Sequence, residues 1–251
     1  MSFIPSLFTV LNLFCGFMSI VNASNGQIDQ ASLFIIYAGL FDVLDGFVAR
    51  FTGTSSKFGV ELDSLADVVS FGAAPSFILY AAFFHYNNGF GIAIASLIMI
   101  FAALRLARFN TQLVGFDKNS FSGVPAPIAA VTISSFFLFY FNRNFSAYTS
   151  EIFVYILAIL LPLLMLSKFR YDTTPKISGR AIKAHPVKYI IIFVAAVLIA
   201  ITKGEGFFAF CLFYLSTGIL RGIFNMLKKM FGRKKITGKE AEENLKLKSP
   251  N

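Results

Sequence analysis

Long apolar runs separated by short polar breaks dominate this chain. Eight apolar segments stand out, at about 3–22, 31–51, 58–83, 89–109, 123–141, 150–167, 188–203 and 206–226. Most approach the roughly 20 residues that a helix needs to cross a bilayer, and the seventh is the shortest. The pattern predicts an all-α polytopic membrane protein of about eight transmembrane helices. The first segment lacks the basic n-region of a cleavable signal, and its apolar run is too long for one.

Composition supports this class. Hydrophobic residues make up 56% of the 251 and charged residues 14%, against roughly 25% charged in soluble domains. The mean hydropathy is +0.70, more apolar surface than a soluble globule of this size can hide. Disorder, collagen and a disulfide scaffold are excluded by the same figures. Cys15 and Cys211 each sit inside an apolar run and read as small buried thiols.

The net charge of +9 suggests nucleic acid until the charges are placed along the chain. No Lys or Arg precedes Arg50. If the N-terminus is cytoplasmic, the outer turns at 23–30, 84–88, 142–149 and 204–205 carry only Arg143 and, at the edge of the last, Lys203. All other basic residues then face inward, including Lys168 to Lys188 and the tail from Lys228 to Lys248. This asymmetry predicts both termini in the cytoplasm, beside an anionic leaflet, and no nucleic-acid partner. Residues 1–226 are expected to form the membrane domain, with 227–251 a basic cytoplasmic tail.

The anomaly lies where the second segment ends and the third begins. Five of the 13 acidic residues, Asp42, Asp45, Glu61, Asp63 and Asp67, fall between positions 41 and 76. Ionisable groups in spanning helices cost several kcal/mol each, so they pair, face a cavity or mark function. Asp42 and Asp45 are spaced i, i+3, and Asp63 and Asp67 i, i+4, so each pair occupies one helix face. A turn at Thr52–Ser56 would bring the two helices together antiparallel, with four carboxylates converging at the cytoplasmic end of a hairpin. Four such groups cannot all remain ionised in a low dielectric without cations. With oxygen ligands only, hard divalent ions such as Mg²⁺ or Mn²⁺ are the natural partners, and two of them would suit a diphosphate substrate. Gly46, Ala49 and Gly59 leave room beside the carboxylates, and Arg50 could hold a diphosphate oxygen. A packing network of Asp–Arg pairs fits less well, because one basic residue cannot balance four acids. An ion-coupled transporter is the rival from another class, although there is neither an inverted repeat nor a second acidic cluster.

The pattern Asp42-x2-Asp45-Gly46-x2-Ala49-Arg50-x8-Gly59-x3-Asp63-x3-Asp67 resembles the complete signature of the CDP-alcohol phosphotransferases, with eight positions at fixed gaps. Further segments are similar to bacterial and archaeal phosphatidylserine synthases: Pro5 to Phe17, Leu62 to Pro75, Leu104 to Asn110 and Phe121 to Pro127. Together these cover about residues 3–130. The resemblance implies a six-helix family core, at about 3–167, with two extra helices at about 188–226. It implies a phospholipid-forming transferase of substituted phosphate groups, often a homodimer, in a prokaryotic cell (inner) membrane. The expected reaction moves the phosphatidyl group of CDP-diacylglycerol to the hydroxyl of L-serine by attack on the β-phosphorus, with release of CMP. Asp42, Asp45 and Asp63 would hold one divalent cation, and Asp42, Asp63 and Asp67 a second. Gly46, Ala49, Arg50 and Gly59 match positions lining the CDP site, and Asp67 matches the proposed general base.

The acceptor is less constrained by the residues themselves. Serine asks for a cation to meet its carboxylate, and Arg105 and Arg108, ending the fourth segment, could supply it. They also serve as ordinary positive-inside residues. Glycerol 3-phosphate is the alternative acceptor, although its phosphate asks for more cations. Asn110 and Ser122 are weaker pocket candidates. Asn12 suits nucleotide contact or an interhelical hydrogen bond about equally. His85 and His185 fall in loops away from the acidic cluster, and the Phe-rich stretch 136–145 reads as lipid-facing surface.

Overall fold

A computed structural model describes residues 3–52, 57–112, 121–167, 169–171 and 197–222, with single helical positions at 194, 224 and 228. Seven helices form the main bundle. They are α1 (Phe3–Ser24), α2 (Ile28–Thr52), α3 (Lys57–Asp67), α4 (Ala74–Ala82), α5 (Asn88–Gln112), α6 (Ala126–Phe139) and α7 (Ala147–Leu166). An eighth, α8 (Gly206–Gly222), follows. Five stretches are long and apolar enough to cross a membrane: Leu7–Ser24, Ile28–Ala49, Phe58–Ala82, Phe84–Thr111 and Ala147–Leu166. They match predicted segments to within a few residues. The predicted segment 123–141 becomes the 14-residue α6, and its chain leaves the helix in a turn at Tyr140–Asn144. The segment 188–203 falls largely outside the described residues, with helix at 197–201, and the basic tail lies outside them apart from position 228.

The bundle is assembled as lipid solvation demands. Outward positions are apolar, as with Phe14 and Phe17 on α1, Val43 and Phe47 on α2, and Leu160 and Leu163 on α7. Small and polar residues turn inward, where helices approach closely and hydroxyls find carbonyls. Ala31, Ala38, Ala102 and Ala129 are fully buried, as are Ser70, Thr132 and Ser134. Aromatic rings fill one end of the bundle, where Phe136 meets Phe153 and Phe208 of α8. The same end carries the Asp29–Arg143 ion pair and the bond from Tyr140 Oη to the Glu205 carbonyl.

The third predicted segment is not one regular helix. Between α3 and α4 the backbone opens into a π turn at Val68–Ala73, in which the Ala74 N–H reaches back to the Val69 carbonyl. Pro75 follows at the start of α4 and has no N–H to give, so the helical ladder is interrupted here in any case. The wider turn aims Ser70 at α1, where its hydroxyl donates to the Asn12 carbonyl at 2.9 Å. It also seats Gly72 against Met99 and Ala102 of α5. Gly16 makes the α1 contact possible, since a Cβ there would lie 2.7 Å from the Ser70 Cα.

One antiparallel ladder two residues long breaks the all-α pattern. β1 (Phe121–Ser122) pairs with β2 (Arg170–Tyr171). Gly123 follows with φ +84 and donates to the Phe169 carbonyl at 2.9 Å. The ladder ties the chain before α6 to the chain after α7. It also presents Phe169 and Tyr171 to α8, whose Gly218 and Gly222 lie against those two rings. Burial pushes the Tyr171 hydroxyl up to about 12, so it stays protonated and donates to the Leu215 carbonyl at 3.4 Å.

Gly16→Leu should separate α1 from the π turn. Overpacking of this kind costs about 1–3 kcal/mol, and thermal unfolding of the protein in detergent should show a lowered midpoint, with Gly16→Ala affected less.

Candidate active site

The acidic residues are delivered by α2 and α3. Among the described residues these two helices hardly pack on each other; α1 lies against both, and α2 draws close to the long third segment only at the π turn and α4. The two helices thus pack less closely than the expected antiparallel pair, and residues 53–56 of the expected turn lie outside the described residues. The legs are splayed, and the carboxylates look across the gap. Asp42, Asp63 and Asp67 each bring a carboxylate oxygen within 4.8 Å of the others. Asp42 and Asp63 are part-exposed, whereas Asp67, the last residue of α3, is 8% exposed.

Asp45 does not join that trio, although it lies within electrostatic reach of Asp42 and Asp63. Its Oδ2 accepts from the Thr9 hydroxyl of α1 at 2.7 Å, and its Oδ1 is buried without a hydrogen-bond partner among the described residues. Glu61 is exposed and takes no part in the trio. Gly46 is exposed, and Ala49 and Gly59 are partly buried near the helix ends that flank the gap. The Arg50 side chain lies outside the described residues.

Helix α1 supplies what the sequence reading undervalued. Asn12, fully buried, donates from Nδ2 to Asp67 Oδ1 at 3.3 Å, while its own Oδ1 has no partner among the described residues. Thr9, Asn12 and Gly16 are spaced i, i+3, i+7, so one stripe of α1 touches Asp45, Asp67 and the π turn. That spacing was legible: polar and small residues recur on one face of an otherwise apolar span. Thr9 drew no attention because a single hydroxyl satisfies itself readily within a membrane helix.

The two arginines of α5 behave differently. Arg105 is 6% exposed and lies within electrostatic reach of Asp67, with its Nε buried and unpartnered among the described residues. Arg108 donates to the Leu166 carbonyl at 3.1 Å, capping the C-terminus of α7. Asn110 donates to the Ser64 hydroxyl at 2.9 Å and braces α5 against α3. The Ser122 side chain lies outside the described residues, and the His85 ring lies tilted against that of Tyr86 at the other end of the bundle.

The donor set suits hard cations. Its near atoms are carboxylate oxygens of Asp42, Asp63 and Asp67, a neighbouring Asp45 oxygen is buried without a partner among the described residues, and Arg105 is the described cation within reach of Asp67. An uncompensated cluster of this kind is costly in a low dielectric, and divalent ions are the oxygen-seeking partners that offset it.

Residues 2–166 match the sequence model of the CDP-alcohol phosphatidyltransferases. The chain belongs to that family. It is thus a membrane-embedded transferase, and the transporter reading drops out. This phosphatidyltransferase is 40% identical over 232 residues to the CDP-diacylglycerol–serine O-phosphatidyltransferase of Helicobacter pylori strain J99, covering 92% of this chain and 95% of the relative. It is 36% identical over 218 residues to the protein of the same name from Methanocaldococcus jannaschii, covering 86% and 92%. It is 41% identical over 180 residues to the archaetidylserine synthase of Methanothermobacter thermautotrophicus, covering 70% and 71%.

Thr9→Val keeps the shape of the side chain but strips Asp45 of its donor. A buried acceptor left unsatisfied costs about 1–3 kcal/mol, so this variant should unfold at lower denaturant concentration than the parent, as followed by helical circular dichroism in detergent.

Proposed function

We propose that this phosphatidyltransferase moves the phosphatidyl group of CDP-diacylglycerol to the hydroxyl of L-serine, giving phosphatidylserine and CMP. The observation that carries the chemistry is the convergence of Asp42, Asp63 and Asp67 across the open gap between α2 and α3. The serine assignment is supported by the relatives named above, which span nearly the whole chain.

Asp42, Asp45 and Asp63 would hold one divalent cation, and Asp42, Asp63 and Asp67 another, Mg²⁺ or Mn²⁺. Such ions, when bound, neutralise diphosphate oxygens and the departing phosphate. Gly46, Ala49, Arg50 and Gly59 leave room for the CDP moiety beside the carboxylates, and Arg50 adds a positive charge for its phosphates. Asp67 is the general base. The Asn12 amide fixes one of its oxygens, leaving the other to take the proton from the serine hydroxyl as attack begins. The serine oxygen bonds to the β-phosphorus while the bond from that phosphorus to the oxygen of CMP breaks. The proton ends on Asp67, and no covalent enzyme intermediate is required. Arg105 receives the serine carboxylate beside Asp67, with Arg108 supporting it one turn along α5. The basic loops and both termini face the cytoplasm of a prokaryotic cell, the site lies at the cytoplasmic surface of the inner membrane, and the chain works as a homodimer.

The test is CMP release from CDP-diacylglycerol by the purified protein, with serine, glycerol 3-phosphate or inositol phosphate offered separately. Release should require Mg²⁺ or Mn²⁺, stop with EDTA and occur with serine alone. Release only with a phosphorylated acceptor would overturn the serine assignment. Asp67→Asn should lower kcat by about 10²–10⁴-fold, the range for a lost acid–base group. Arg105→Ala should raise the serine KM by roughly 10–100-fold, as loss of a charge-assisted bond does.

A further inference from the structure

Asp42 and Asp67 stand across a gap between helices that scarcely touch, so their mutual placement is set by a third element. Helix α1 packs on both, and it meets the third segment in a closed loop of contacts. Asp67 is the last residue of α3, and Ser70 lies three residues on, inside the π turn. The Ser70 hydroxyl donates to the Asn12 carbonyl at 2.9 Å, and the Asn12 amide donates to Asp67 Oδ1 at 3.3 Å. One residue of α1 is thus held by its backbone and holds Asp67 with its side chain. Asn12 and Ser70 are fully buried, and Gly16 admits the contact, because a Cβ there would run into the Ser70 side chain.

Hydroxyls within helices commonly turn back to a carbonyl of their own helix, as Ser64 does to Val60 and Ser134 to Ala130. Ser70 instead reaches another helix, 58 residues away in sequence. The Asn12 carbonyl does not need that bond. It lies inside α1, where the N–H four residues on is its regular partner, and a carbonyl oxygen has two lone pairs. What the bond adds is register, the height of α1 along the third segment. The bond from the Asn12 amide to Asp67 is already at the long end of the hydrogen-bonding range, so a small slide of α1 would release it.

We infer that Ser70 is a positioning residue for Asp67: it sets the register of α1 so that the Asn12 amide holds one oxygen of the base and leaves the other to the acceptor hydroxyl. The inference rests on the assignment of Asp67 as general base made above. Ser70 itself touches neither substrate, so its effect falls on the proton transfer and not on binding.

The experiment uses the full chain in detergent with CDP-diacylglycerol, serine and Mn²⁺, and reads kcat, the single-turnover rate of CMP release, both KM values and the unfolding midpoint. Ser70→Ala leaves no backbone group unbonded, so the midpoint should stay close to that of the parent. It should lower kcat and the single-turnover rate about 3–10-fold, as loss of one hydrogen bond does, with both KM values held. In an Asn12→Ala background the same change should have no further effect on either rate, because Ser70 acts through the Asn12 amide. Ser134→Ala, which removes a buried hydroxyl that serves its own helix, should leave both rates alone. If Asp67→Asn loses turnover but Ser70→Ala keeps the parental rates, the inference is overturned while the assignment of Asp67 stands. A Ser70→Ala loss of equal size in the parent and in Asn12→Ala also overturns it, as does a loss spread over both KM values and the midpoint, which marks a packing role. If Asp67→Asn keeps the parental rates, the assignment of Asp67 fails and the inference with it.

Discussion

Three carboxylates within 4.8 Å of one another, at the end of a bundle solvated by lipid, set the terms for the rest of the molecule. Such a cluster repels itself, and each member is expensive to bury. The surroundings hold it in place by hydrogen bonds and packing. Thr9 and Asn12 reach across from α1, Asn110 braces α3 from α5, and the π turn locks α1 against the helix that carries Asp63 and Asp67. Among the described residues the balance of charge is left to Arg105 and to whatever binds. That part of the site is short of positive charge, the condition under which a cation and a substrate add most.

Much of this was written openly in the chain. Apolar runs of membrane-spanning length located five helices to within a few residues, because bilayer thickness fixes helix length directly. Spacings of three and four residues placed each pair of aspartates on one face, because helical period is the same in any solvent. The eight-position signature carried the family. What stayed hidden depends on contacts between helices. That Asp45 turns to Thr9 while Asp42 joins the pair on α3 follows from where α1 lies, and spacing within α2 contains nothing about α1. The splay of α2 from α3 is likewise a property of the bundle, and a short turn in sequence suggested the opposite. The π turn looks like ordinary apolar helix in one dimension, with Pro75 its one local hint.

The C-terminal part is joined to the core through aromatic packing. Helices α1 to α7 fall inside the family match and carry the carboxylates. Strand β2 and α8 fall outside it, and they meet each other through aromatic rings set against glycines. Flat rings over backbone make a broad contact with few rotatable bonds, which suits a helix that must hold one orientation.

The gap between α2 and α3 also has a bearing on how a lipid is handled. Both helices carry exposed apolar side chains, among them Val43, Phe47, Phe58 and Leu65, so acyl chains beside the gap need never be drawn into water. A headgroup can swing in to the carboxylates while its tails remain in the leaflet. The substrate then arrives by two-dimensional diffusion, and its effective concentration is a mole fraction in the membrane. A water-soluble acceptor comes from the aqueous phase. The site thus joins a two-dimensional pool to a three-dimensional one, and its product is returned to the pool from which the lipid came.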